Sequence, residues 1–379
     1  MRGAVWALGL ALTLAVAPAA ADVQRRTHDA MGTIFTIAVG DAVSTEVVDE
    51  ATREAFAEID RIEALISEWR PSSEISLVNA AAGRGSVLVS PETYECVERG
   101  LALSRATDGA FDLTWAALRG LWKFGPESAP RLPSPEAVTA ALARVGWRDI
   151  ALNPKARTIA LRRPGMALGL GGIGQGYGVS RAVVLLRARG LSRFIIDGGG
   201  DLYLAGEKAP GTPWTVGVQD PRDPARLTAE VTARDEAIIT SGDYERFFEL
   251  DGRRYHHIID LRTGYPATES VSTTVFAHDP TLADAFATAC FVLGPRGCVA
   301  AAGRLQGVEA AVFTPDGRVV TTRGVRSRFP ARWRSPYGSP SAAAQDDLLL
   351  GVDLARERRE SRVVFGRDEP ARDANVGAH

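Results

Sequence analysis

Three features of this 379-residue sequence predict an α+β fold, with mixed or antiparallel sheets packed against helices. Residues 45–66 carry Val48, Ala51, Ala55, Ile59, Ile62 and Ile66 at helical spacing. Between 193 and 277, short β-branched stretches succeed one another through hairpin-like connections. The regular strand–helix alternation of a parallel, doubly wound sheet is missing.

Residues 32–39 alternate as a strand requires, and the amphipathic helix 45–66 follows. A second helix is expected at 91–105, with Ser90 as N-cap and Pro91 in the first turn, where its missing N–H is not needed. The Pro-rich stretch 125–135 predicts a loop and 135–145 a short helix. Residues 158–161 and 166–170 flank Arg163-Pro164-Gly165, which predicts a hairpin. A helix is expected at 177–189, then a strand at 193–196 running into Asp197-Gly-Gly-Gly-Asp201. Further strands are expected at 214–218, 227–231, 237–240, 246–250, 255–259 and 271–277, and helices at 282–293 and 296–305.

The two ends read differently. Arg2, the apolar stretch 5–16 and Pro18-Ala-Ala-Ala21 have the form of a secretory signal peptide over residues 1–21. The protein is therefore expected to be exported, periplasmic and soluble after cleavage. The apolar stretch falls short of the ~20 residues that span a bilayer, and no later segment reads as long and apolar enough to do so. No stable membrane insertion is expected. Residues 22–329 form the expected domain, and the Pro-, Ser-, Ala- and Arg-rich stretch 330–379 reads as a disordered tail.

With 45% hydrophobic residues the chain can bury a large core without staples. A formal net charge of -2 leaves no broad basic surface for nucleic acid or acidic lipid, which favours a small-molecule or protein partner. Cys96, Cys290 and Cys298 show no CxxC spacing. Three buried thiols are expected, with a Cys290–Cys298 bridge open in an oxidising compartment.

Gly169-Leu-Gly171-Gly-Ile-Gly174 fits G-x-G-x-x-G, which alone suggests a dinucleotide fold. The context argues against it: a turn precedes the glycines, the later acid Asp197 runs into three more glycines, and no βαβ units continue. Closely spaced glycines before a helix still expose N–H groups that can cradle phosphate.

Read in order, the chain carries Met31-Gly-Thr33, Ser67-Glu-Trp69-Arg-Pro-Ser-Ser-Glu-Ile-Ser-Leu-Val-Asn79, Gly109-Ala-Phe-Asp112, Leu121-Trp-Lys-Phe-Gly125 and Gly171-Gly-Ile-Gly-Gln-Gly-Tyr177. Then come Asp197-Gly-Gly-Gly-Asp201, Thr240-Ser-Gly-Asp-Tyr-Glu-Arg246, His256-His-Ile-Ile-Asp-Leu-Arg-Thr-Gly264 and Asp284-Ala-Phe-Ala-Thr288. This ordered set, from about Thr27 to Asp316, resembles the FAD:protein FMN transferases of the ApbE family. The resemblance implies an ApbE-like, T-fold-like α+β fold that binds FAD as substrate with Mg2+ on its pyrophosphate. It implies transfer of FMN to a Ser or Thr hydroxyl of a redox-pump subunit or exported flavoprotein, with AMP leaving.

By motif position, Met31 and Trp69 should line the flavin or adenine pocket, with Ala110, Phe111 and Asp112 as the wall beside it and Ile258 touching the cofactor through its backbone. Gly172, Asp284 and Thr288 take the family's metal positions. Asp284 and Thr288 stand four apart on an expected helix, so both oxygens share a side, and hard oxygen donors suit Mg2+. Their alternative roles are a surface or capping acid and a threonine bonded to its own backbone. His257 takes the position of the base that accepts the hydroxyl proton. Of the His256–His257 pair, one is expected to be buried and hydrogen-bonded. Asp243 is read as either a partner in this chemistry or a turn residue, and Asp197 and Asp201 as either loop or binding acids.

Family members usually carry an acid at the place of Gly169, a lysine at Gln175 and an Asp at Ser180. A full positive charge near the pyrophosphate is thereby lost at Gln175. Hydrolysis of FAD to FMN and AMP, or flavin carriage without turnover, are the alternative outcomes at the same site.

Overall fold

The computed structural model describes residues 23–124 and 130–329. The expected signal peptide, the tail 330–379 and part of the 125–135 loop lie outside the described residues.

Eight strands form the main sheet: β1 (Gln24–Ala30), β2 (Thr33–Val39), β3 (Phe194–Gly198), β4 (Leu202–Ala205), β5 (Glu236–Gly242), β6 (Ser272–Ala277), β7 (Glu309–Phe313) and β8 (Val319–Thr321). Their order across the sheet is their order along the chain, and every neighbouring pair is antiparallel. The α+β expectation holds, and the antiparallel ladder leaves no place for a βαβ dinucleotide fold.

Helices α1 (Thr45–Ile66), α2 (Glu74–Ala80), α3 (Pro91–Ala106), α4 (Pro135–Leu142), α5 (Gly174–Ala188), α6 (Pro280–Ala302) and α7 (Arg323–Arg328) complete the chain. The expected apolar stripe of α1 is the buried one: Val48, Ala51, Ala55, Ile59, Ile62 and Ile66 all lie inside. Together with α5 and α6 it covers one face of the sheet. The other face holds a second cluster, in which Leu204, Ile238 and Phe276 of the sheet meet Trp214, Val218 and Val231 of an antiparallel hairpin, Trp214–Gln219 with Leu227–Ala233. Covered on both sides, β6 is buried throughout. Its threonines are satisfied inside, Thr273 donating to the Ala287 carbonyl at 2.9 Å and Thr274 sharing a hydrogen bond with Thr240 at 2.9 Å.

Four expectations need correction. Residues 166–170 form no strand; Thr158–Leu161 pairs instead with Ile150–Asn153 and Ser86–Leu88. The strand expected at 255–259 stops at His256 and resumes at Ile259, because the Ile258 N–H turns to the His256 ring at 3.3 Å. The helices expected at 282–293 and 296–305 run together as α6 across a kink at Gly294, whose φ is 69°. This 23-residue helix is, by length and composition, apolar enough to cross a membrane, contrary to expectation. Its apolar residues are packed into the core, where Ala283, Phe286, Ala287 and Phe291 are fully buried.

The cysteines also differ from three thiols. Cys290 and Cys298 form a disulfide across the kink, with Cα atoms 4.5 Å apart, while Cys96 is free and buried.

Candidate active site

The glycine loop is held by side chains rather than by a strand. Asn79 acts as a surrogate ladder partner: its amide donates to the Leu168 carbonyl at 2.9 Å and its oxygen accepts the Leu168 N–H at 2.6 Å. Residues Leu113–Leu118 form a 3-10 helix whose Trp115 indole donates to the Gly169 carbonyl at 2.9 Å. A Cβ at Gly169 would fall 2.5 Å from that indole, so no acid fits at 169 here.

Beyond this clamp the loop meets α6. A Cβ at Gly172 would lie 3.2 Å from Thr288 Oγ1 and 3.3 Å from the Phe111 ring, which puts three sequence candidates in one place. One turn into α5, the Gly176 N–H donates to Asp284 Oδ2 at 2.9 Å. The approach is so close that a Cβ at Gly176 would fall 2.4 Å from the Pro280 carbonyl oxygen. Ser180, where an Asp is usual, shares a 2.9 Å hydrogen bond with Thr281 and extends the same seam. Gln175 is half-buried on the first turn of α5.

The electrostatics of this corner favour a cation. Burial raises the Asp284 carboxyl to about 7 against the lowering effect of the Gly176 N–H. Asp201, also buried, is raised well above the carboxylate range by burial and by the charges of Asp284, Asp197 and Glu245. No cluster of three His, Cys, Asp or Glu side chains suited to a metal exists among the described residues. A carboxylate, an alcohol and a loop carbonyl instead fit a hard ion that keeps most of its shell for water and substrate oxygens. Sequence reasoning left Asp201 between two roles; the acid flanked by glycines was its signal.

The expected pocket residues surround this corner. Met31, at φ 50°, donates its N–H to Glu63 at 2.9 Å, and with Thr33, Ile34, Glu63 and Arg70 it lines a cavity of about 420 Å³. Its side-chain methyl would lie 3.0 Å from a Cβ at Gly178 of α5. Trp69 is 66% exposed, a large ring left open to solvent, with the Arg119 guanidinium 4.8 Å above it. Phe111 backs Gly172, while Ala110 packs with Ile258, Ala267, Phe291 and Val292. Asp112 acts within the wall: its carboxylate caps the 3-10 helix through Thr114 at 2.8 Å and accepts the Trp147 N–H at 3.0 Å. It shapes the wall without facing the pocket.

The histidine pair divides as expected. His256 is buried, its Nε2 2.8 Å from the Ala267 carbonyl and its Nδ1 accepting from Ile258, so the ring is neutral with the proton on Nε2. Desolvation holds its pKa below the usual histidine value. His257 is accessible at the surface yet surrounded by protein, which pushes its pKa down to about 4, with repulsion from His256 and Arg246 added. It is thus unprotonated at neutral pH, the state a base needs. Ile258 is buried and uses both backbone groups internally, its carbonyl accepting from Ala267 at 3.0 Å. Only that carbonyl's second lone pair is left for a ligand.

Asp243 is held in ion pairs. Buried after β5, its two oxygens take a bidentate grip from Arg222 at 2.6 and 2.7 Å, and Arg254 adds a contact at 3.4 Å. A carboxylate gripped by two guanidiniums ties β5 to the hairpin carrying Arg222, a structural role beside the one expected in the chemistry.

A family model described as the ApbE family matches residues 31–312. A Treponema pallidum FAD:protein FMN transferase is 36% identical over 318 residues, covering 80% of this chain and 88% of that protein. A Klebsiella pneumoniae protein of the same name is 33% identical over 285 residues, 74% of this chain and 88% of its own. Among solved structures, the ApbE protein of Thermotoga maritima is similar with a TM-score of 0.74 and 30% identity, covering 81% of this chain and 99% of that one. The apo form of Pseudomonas stutzeri flavinyl transferase ApbE gives a TM-score of 0.71 at 30% identity, covering 82% and 97%.

Proposed function

This chain belongs to the ApbE family and is a transferase, and from that premise we propose that it moves the FMN half of FAD onto a Ser or Thr hydroxyl of an acceptor protein, releasing AMP. Flavin transfer from FAD to protein is the activity that membership carries. The observation supporting the finer reading is the meeting of Gly172, Asp284 and Thr288 where the glycine loop enters α5, beside Phe111, whose neighbour Ala110 packs against Ile258.

The acceptor hydroxyl attacks the phosphorus of the FMN half, the bond from that phosphorus to the bridging oxygen breaks, and AMP departs with that oxygen. The hydroxyl proton passes to a ring nitrogen of His257, unprotonated because its pKa is depressed. Gly172, Asp284 and Thr288 would hold Mg2+, which when bound supplies charge neutralisation on the pyrophosphate. With glutamine at 175, the phosphate charge falls to those loop N–H groups that the fold does not already use, since the N–H groups of Leu170, Ile173, Gly174 and Gly176 are bonded within the protein. Trp69 offers a flat face for a ring of FAD.

An exported acceptor, a redox-pump subunit or periplasmic flavoprotein, fits residues 1–21 and the Cys290–Cys298 pairing, which suits an oxidising compartment. The test is to incubate the mature protein with FAD, Mg2+ and a candidate acceptor. AMP together with acceptor fluorescence that survives denaturation is the expected result. AMP without label indicates hydrolysis, and bound FAD without AMP rules out turnover.

A further inference from the structure

Among the described residues, Glu68 is a buried acid whose carboxylate accepts backbone N–H groups and no charged side chain. It follows the C-cap Ser67 of α1, where the helix dipole disfavours negative charge, and it is only 7% exposed. The nearby cation acts only through space: Arg119 donates to its backbone carbonyl at 2.7 Å, not to its carboxylate, and its charge offsets only part of the burial that raises the Glu68 pKa. Oε2 accepts one long bond, 3.4 Å, from the Leu170 N–H, and Oε1 faces the glycine loop, 3.6 Å from where a Cβ of Gly171 would stand. Its own backbone N–H adds a second contact, and neither oxygen meets a side-chain donor, so the carboxylate keeps capacity for a further hydrogen bond. At position 169 the loop itself can offer no acid, because the Trp115 indole fills that space. Trp69, the next residue, is the open ring on the same turn.

We infer that Glu68 is an affinity-determining residue for FAD, its carboxylate accepting a hydrogen bond from a hydroxyl or ring N–H of the half of FAD that rests on Trp69. Rejection of the pyrophosphate by like charge restricts its partner to these donors. The acid is supplied by the turn after α1 instead of by the glycine loop. This rests on the FAD reading above and adds to it a residue and its partner chemistry.

The experiment measures FAD dissociation constants by flavin fluorescence in chelator, for wild type and Glu68→Gln. The amide keeps the volume and can still accept from Leu170. Loss of a charge-assisted hydrogen bond predicts a Kd raised about tenfold or more, a raised KM for FAD with kcat within about threefold, and an unchanged melting temperature. Mn2+ affinity of the ligand-free protein, read by electron paramagnetic resonance, should stay within about threefold, which a collapsed loop would not allow. The same titrations with FMN and with AMP show which half contributes the donor. Should Glu68→Gln fail to fold, Glu68→Asp, which keeps the charge and withdraws it by one methylene, is expected to weaken FAD as well. Wild-type FAD affinity in the folded variant overturns the inference alone. Failure of the wild type to bind FAD overturns the FAD reading and this inference together.

Discussion

The Asp284 carboxylate accepts the backbone N–H of Gly176 at 2.9 Å, and this bond joins the helix that follows the glycine loop to the helix that carries Thr288. Because Asp284 is buried and Gly176 lacks a side chain, the two helices approach closely enough for loop and helix to share one corner.

Gly176→Ala is expected to force α5 away from Pro280 and Asp284, since its Cβ would fall 2.4 Å from a backbone oxygen. Overpacking of this kind costs about 1–3 kcal/mol. Chemical denaturation should record that loss, and flavin transfer should demand more Mg2+. An alanine variant as stable as wild type would show that the helices can separate freely.

Proton and metal compete for Asp284. With its carboxyl raised to about 7, the group is increasingly protonated as pH falls below neutrality, so apparent Mg2+ affinity should drop about tenfold per pH unit there. Raising Mg2+ tenfold should move the acid limb of the pH–rate profile down by about one unit. A limb indifferent to Mg2+ would assign it to another group.

The two adjacent histidines should fail in different ways. His257→Ala is expected to lower acceptor labelling by about 10²–10⁴-fold while FAD binding holds. His256→Ala removes a buried ring bonded to Ala267 and Ile258, and should cost about 1–3 kcal/mol of stability. Labelling that survives in His257→Ala would remove it from the base role.

Alkylation of denatured, unreduced protein should modify one cysteine, Cys96, and three after reduction. Cys290→Ser should lower unfolding free energy by about 2–3 kcal/mol through loss of the cross-link. Three reactive thiols before reduction would refute the pairing.

Local periodicity was enough for much of the fold. The stripe of α1 and the Ser90–Pro91 start of α3 follow from side-chain spacing and capping, which are properties of neighbouring residues. The failures have tertiary causes. Residues 166–170 look like a strand, yet the amide of Asn79 takes over the hydrogen bonds of Leu168. The strand through His257 breaks because the His256 side chain captures the next N–H.

The site divides along the same line. Spacing alone could set Asp284 and Thr288 on one side of a helix, and the ordered motifs named His257 and Gly172 as their companions. No local pattern could show that Arg222, from a distant hairpin, would take both oxygens of Asp243, or that Trp115 would occupy the space beside Gly169.

What the sequence determined by itself is therefore the fold class, the family, the elements with strong periodicity or capping such as α1 and α3, and the residue types available for chemistry, since these depend on order and short-range spacing. Strands such as Gln24–Ala30, Leu202–Ala205 and Glu309–Phe313 emerged only from their pairing in the sheet. The tertiary structure alone decided which acids are free and which are engaged, because a carboxylate's role depends on burial and on the cations and N–H groups that distant segments bring to it.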